Sequence, residues 1–169
     1  MMKKVIIFLF LVISLSFISQ KKQNYIIPHE SIRFRIVANS NNVEDQVLKM
    51  EVRTALLPIL DKISTNSSSL ISARQNIEDN LSNMSSVLSK YVDSYDITFG
   101  QNYFPPKQYR GIDYEAGEYE SLVIRLGQGL GDNWWCVLFP PLCLLEATNT
   151  NMDDVSYEYY FKKIINQYF

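Results

Sequence analysis

The chain has 169 residues, 47% of them hydrophobic and 13% aromatic, with a formal net charge of −2 and an isoelectric point near 5.4. That is enough for one domain of ordinary size and too apolar for a disordered chain. No run of Lys or Arg exceeds two residues, so the basic stripe that nucleic-acid binding requires is missing.

Met1-Met2-Lys3-Lys4 is a positively charged start, and Val5 to Ile18 is an apolar run broken only by Ser14 and Ser16. The run is short for a membrane span, which needs about 20 residues, and matches the apolar region of an export signal. Residues 1–22 read as a signal peptide or as an uncleaved N-terminal anchor ending at Lys21-Lys22. Either way the rest is expected outside the cytoplasm, with membrane contact only through this N-terminal segment. Residues 23–145 form one extracytoplasmic domain, and 146–169 a C-terminal tail.

Ser31 to Ala38 alternates strictly, with Ile32, Phe34, Ile36 and Ala38 on one face and Arg33 and Arg35 on the other, the pattern of a half-buried strand. Asn39-Ser40-Asn41-Asn42 is a turn and helix N-cap signal, followed by Glu44 and Asp45 in the first turn. A helix is expected from Val43 to about Leu57. Its seam is Val47, Met50, Thr54 and Leu57, with Val43 a turn before, widened by Leu48, Val52 and Ala55, while Glu44, Asp45, Lys49 and Arg53 stay in water. Pro58 ends or kinks it. After the serine-rich connector Ser64–Ser69, a second helix carries a seam at Leu70, Ile77, Met84 and Tyr91. Strands follow at Tyr95–Tyr103, Lys107–Gly111 (a short edge) and Glu118–Leu126. Two one-sided helices and these strands predict an α+β domain, a mostly antiparallel sheet with both helices on one face.

Gly127-x-Gly129-x-Gly131 is expected to be a turn that folds the next segment back onto the sheet. That segment, Asn133 to Cys143, holds both tryptophans, both cysteines and Pro140-Pro141, and closes the core. Trp134 to Phe139 has no alternation and no charge, and the prolines stop any regular element. Such a segment is buried or awaits a partner. Asn133, Trp134, Trp135, Phe139, Pro140 and Pro141 are the candidate partner-binding residues, with one of the two tryptophans expected inside and the other accessible. Cys136 and Cys143, with six residues between them, form one disulfide or stay as buried thiols. Tyr157 to Phe169 has the spacing of a short amphipathic helix behind a polar linker.

No catalytic, cofactor or metal set emerges. The glycine triplet lacks the following helix and the Lys-Ser/Thr of a phosphate loop. His29 is the single histidine, which limits both a Cys/His nucleophile and a zinc site. The carboxylate pairs Asp113/Glu115, Glu118/Glu120 and Asp153/Asp154 lie among polar neighbours, and the Asn39–Asn42 cluster is accounted for by helix capping. An exported location keeps one alternative open, a protein that binds or hydrolyses cell-wall material.

Two blocks carry a family resemblance. Ile32 to Arg53 (I-R-F-R-I-V-A-N-S-N-N-V-E-D-Q-V-L-K-M-E-V-R) and Ala116 to Cys143, ending N-W-W-C-V-L-F-P-P-L-C, resemble the two signatures of the stage II sporulation protein R family, with Phe104-Pro105-Pro106-Lys107-x-Tyr109 between them. The resemblance covers roughly Ile32 to Leu145. Asn41 and Leu130 stand where that family usually has acidic residues, and Thr54 where an Asp often follows the Arg. It implies an exported forespore signalling protein, not an enzyme, acting in the space between forespore and mother-cell membranes. Its implied partner is the membrane-bound aspartic protease that processes the precursor of sporulation sigma factor E.

Overall fold

The computed structural model describes residues 25–26, 29–109, 112–143, 145 and 154–169. The export segment at residues 1–22, the linker at 146–153, and Arg110 and Gly111 of the expected edge strand lie outside the described residues. The strands are β1 (Tyr25–Ile26), β2 (Ile32–Val37), β3 (Tyr95–Phe104), β4 (Lys107–Tyr109), β5 (Ile112–Tyr114), β6 (Gly117–Leu126) and β7 (Asn133–Phe139). The helices are α1 (Val43–Thr65), α2 (Leu70–Leu88) and α3 (Asp154–Tyr168). The main sheet has the order β3-β6-β2-β7, and a small sheet β1-β5-β4 is built from two short strands of the β3–β6 connection and from β1, which precedes β2 in the chain. The fold is the expected α+β domain with a mostly antiparallel sheet, its central pair β2/β6 being parallel.

Ile32, Phe34 and Ile36 of β2, with Leu122, Ile124 and Leu126 of β6, share a cluster with the inner sides of α1 and α2. Each such side chain, fully buried, contributes about 1.5–3 kcal/mol. Ser69 and Ser72 close a reciprocal capping box at the start of α2, which buries Ala73, Ile77, Met84 and Leu88. Tyr91, expected on this seam, lies beyond the helix end and is exposed.

Three expectations are corrected here. Pro58 does not end α1, which runs on to Thr65; Pro58 is exposed, and the helix there lacks one backbone donor. The helix buries the opposite side from the one expected: Lys49, Val52, Leu56, Leu60 and Ile63 face the core, while Val43, Val47 and Met50 face solvent. Trp134 to Phe139 is a regular strand. It shows no alternation because both its faces are covered, Trp134, Cys136 and Leu138 by the helix-side cluster and Trp135 and Val137 by a second cluster. A bulge opposite Ile32 and Arg33 lets Leu138 and Phe139 both join the first cluster.

That second cluster covers the other face of the sheet. Phe104, Ile112, Tyr114, Tyr119, Trp135 and Val137 meet Leu142, Leu145 and, from α3, Tyr157 and Phe161. Arg33, expected in water, is therefore fully buried.

β6 and β7 lie on either side of β2, so the connection at residues 127–132 must cross the chain as it leaves β2 for α1. The crossing is a clasp. Asn39 Oδ1 accepts from the Gln128 amide at 2.9 Å and Asn41 Oδ1 from the Asp132 amide at 2.5 Å. Backbone bonds join Leu130 N to Asn39 O and Gly131 N to Ala38 O. The Lys49 ammonium donates to the Asp132 carbonyl at 3.0 Å and to Gln46 Oε1 at 2.6 Å. Burial holds the Lys49 pKa below its ordinary value, with Asp132 opposing. Gly127 and Gly129 have positive φ, and a Cβ on Gly131 would run into the Ser40 carbonyl. Helix capping thus explains only Asn42, whose side chain accepts from the Asp45 amide; Asn39 and Asn41 hold the glycine turn.

Asp45 braces the clasp, accepting from Asn39 Nδ2 at 2.9 Å and Ser40 Oγ at 2.6 Å. Those bonds, Ser40 first, hold its carboxyl below the ordinary 3.8. A lowered folded-state pKa adds stability that is present above the unfolded value and is lost as pH falls through the folded one. Asp45→Asn should therefore be less stable than the parent near neutrality, with the difference shrinking below about pH 4; denaturant melts at several pH values check this, and a pH-independent difference would contradict it. Cys136 and Cys143 are disulfide-bonded, which removes the free-thiol alternative. Closing so short a loop is worth about 2–3 kcal/mol. Cys136→Ser, Cys143→Ser and the double variant should each lose about that much, whereas additive losses would show that packing, not the cross-link, dominates.

Candidate functional site

Strand β7 is an edge of the main sheet, and the candidate partner-binding residues lie on it and just after it. Asn133 is exposed beside the clasp, while Trp134 and Pro141 are half-buried. Trp135, Phe139 and Pro140 are buried. Alternation along β7 separates the tryptophans, as strand geometry requires. Trp135 enters the second cluster, edge-on to Tyr114 at 4.8 Å and to Phe104 at 5.6 Å, with Lys107 Nζ 4.9 Å from its ring centre. Trp134 points to the helix side, edge-on to Phe34 at 6.1 Å, with the Arg53 guanidinium 4.5 Å from its ring centre. Phe139 meets Tyr168 of α3 edge-on at 5.0 Å, and the disulfide ties the middle of β7 to the turn that follows Pro140-Pro141.

Beneath Trp135 the sheet holds a buried cation. The Arg33 guanidinium stands 3.3 Å from the Tyr119 ring centre, 4.9 Å from Phe104 and 5.1 Å from Trp135. None of its three nitrogens has a hydrogen-bond partner among the described residues. A cation over an aromatic face gains about 0.5–2 kcal/mol, more when water is excluded. Burial lowers the Arg33 pKa to about 10, with Tyr119 and Tyr114 opposing. The group stays charged at neutral pH, and its role is to hold Tyr119, Phe104 and Trp135 around one centre. Alternation alone marked Arg33 as solvated; only the covering α3 and small sheet reverse that.

The surface that sequence periodicity missed is the outer side of α1. Val43 is 73% exposed, Val47 51% and Met50 39%. With Tyr91 from the turn after α2, they line an open groove of about 950 Å³ in which Glu51 is the single charged lining residue. Tyr91 also lines a smaller cavity of about 320 Å³ that reaches Asn39 and Gly127 of the clasp. The signal was present in the sequence as the 4-3-4 spacing of Val43, Val47, Met50 and Thr54, but it reads equally as a core seam.

Chemically the site offers apolar surface, backbone edge and a few fixed charges. Among the described residues no group of three His, Cys, Asp or Glu side chains could hold a metal ion, and no helix is long and apolar enough to cross a membrane. The expected carboxylate pairs that are described, Asp113/Glu115 and Glu118/Glu120, stay on polar surface, and Glu120 is bound to Arg74 at 2.7 Å.

The stage II sporulation protein R family model matches residues 28–149. Stage II sporulation protein R of Bacillus subtilis (strain 168) is 38% identical over 139 residues, which are 78% of this chain and 62% of that relative. The chain thus spans under two thirds of that relative's length. No solved structure matches. The matched span contains the whole main sheet, both helices on its face and both sides of the clasp. On that match, the chain belongs to the stage II sporulation protein R family.

Proposed function

We propose that this chain is an exported signal of the sporulating cell. It leaves the forespore through its N-terminal apolar segment and acts in the space between the forespore and mother-cell membranes. There it activates a membrane-bound aspartic protease, which then processes the precursor of sporulation sigma factor E. The observation that carries this reading is family membership over residues 28–149. It acts by binding, with no catalytic step assigned to any of its residues.

An activator works only by binding one state of its receptor better than the other. A rigid contact surface suits that task, since little ordering has to occur on binding. Strand β7 has that character, held by the disulfide, by Arg33 beneath Trp135 and by the clasp at its start. Within the segment we assign contact to Asn133, the accessible part of Trp134 and Pro141. Trp135, Phe139 and Pro140 hold those residues in place.

Deleting the gene should leave the sigma factor precursor unprocessed on a blot of sporulating cells, and the intact gene should restore processing. A chain carrying Trp134→Ala, shown by circular dichroism to stay folded, should restore it several-fold less well, as truncation of a central aromatic usually does. Normal processing in the deletion strain would refute the function. Full restoration by Trp134→Ala would refute the assignment of contact to β7.

A further inference from the structure

We propose that the outer side of α1 is a docking groove for an amphipathic helix of the receptor protein, one with an apolar seam and lysine or arginine along one flank. The inference rests on the reading of this chain as a ligand of another protein, and adds which surface is used and what kind of segment it takes. Three observations carry it.

The first is spacing. Val43, Val47, Met50, Thr54 and Leu57 repeat at intervals of 4, 3, 4 and 3 on the side of α1 turned away from the core. That repeat keeps a stripe facing a second helix along its length, whereas a strand or an irregular loop has no use for it. The core needs none of Val43, Val47 and Met50, because α1 already buries Val52, Leu56, Leu60 and Ile63 on its opposite side. Tyr91 gives the groove its far wall.

The second is charge. Glu44 and Glu51 are seven residues apart, on one flank of the stripe, both exposed and neither in an ion pair among the described residues. No lysine or arginine lines the groove. In helix pairs the flanking positions select the partner by opposite charge. A second copy packed antiparallel would set Glu44 and Glu51 against the same residues of its partner. The charge pattern therefore favours a different, basic helix.

The third is continuity. Arg53, on the other flank of the stripe, stacks on Trp134, so the groove adjoins the accessible part of β7. At the other end Tyr91 links it to the cavity beside the clasp. One helix laid along α1 would touch both surfaces.

The test uses the full chain in a sporulating strain deleted for the gene. Val47→Asp combined with Met50→Asp should leave the circular dichroism spectrum and melting temperature near the parent values, since both side chains are exposed. Sigma factor processing should nevertheless fall at least tenfold. Glu44→Lys combined with Glu51→Lys should also lower it, and Ile71→Asp, at a still more exposed apolar site on α2, should not. A photo-cross-linker at Val47, read by mass spectrometry, should join a receptor peptide with apolar residues at helical spacing and a basic flank. Normal processing by the folded Val47→Asp/Met50→Asp chain overturns the groove, as does a cross-link to a second copy of this chain. If the deletion itself leaves processing intact, the proposed function fails, and the cross-linked peptide alone decides whether the groove takes a basic helix.

Discussion

Placing β6 and β7 on opposite sides of β2 creates a crossing that the rest of the fold has to accommodate. The chain leaving β2 for α1 and the chain passing from β6 to β7 meet within hydrogen-bond distance at one end of the sheet. Two backbones that close would leave polar groups stranded unless each found a partner. The asparagines supply those partners, with Asn39 and Asn41 serving amides that no strand reaches. Gly127 and Gly131 supply the room, since a Cβ on either would collide with Asn39 or Ser40. The N-terminal and C-terminal signature blocks are thus two sides of one contact, and the register of β7 on β2 follows from it.

Fixing β7 in that register aims the tryptophans. Trp134 lies opposite Ile36 on the helix side, and Trp135 lies opposite Arg35 above the Arg33 centre. A buried guanidinium is costly, and replacing such groups by apolar ones is often neutral or favourable for stability. What the cation provides is geometry, since three rings converge on it. The strand proposed to contact a partner is held from behind by charge, at its start by the clasp and at its middle by the disulfide. Packing, electrostatics and the proposed binding role therefore meet in the same seven residues.

Much of this was legible in the sequence, and the rest was hidden for identifiable reasons. Alternation located β2, β3 and β6 because polar and apolar residues alternate in each, although the polar residues of β2, Arg33 and Arg35, are not exposed. Strand β7 gave no such pattern, being covered on both sides. Arg33 alternated like a solvated residue, and only the covering elements, remote in sequence, bury it. α1 is apolar on two opposite sides, so periodicity could not tell core from docking surface; the real core seam also carries Lys49, whose charge is satisfied by the Asp132 carbonyl 83 residues away. Asn39 and Asn41 suffered the reverse problem: a local explanation, capping, fitted them and concealed a distant partner. The tail was read as an amphipathic helix, and α3 places Tyr157 and Phe161 in the second cluster. Aromatic content points to Trp134, Trp135 and Phe139, but it marks buried and accessible rings alike.

If the clasp is the contact on which the sheet depends, its loop amides open only when the whole domain opens. Native-state hydrogen exchange resolved at single amides measures this directly. The amides of Gln128, Leu130, Gly131 and Asp132 should be protected to the same free energy as those of Phe34 and Ile124 in the central strands, although Gln128, Leu130 and Asp132 belong to exposed loop residues. Exchange of these four amides at the rate of an ordinary surface loop, while the central strands stay protected, would contradict the account.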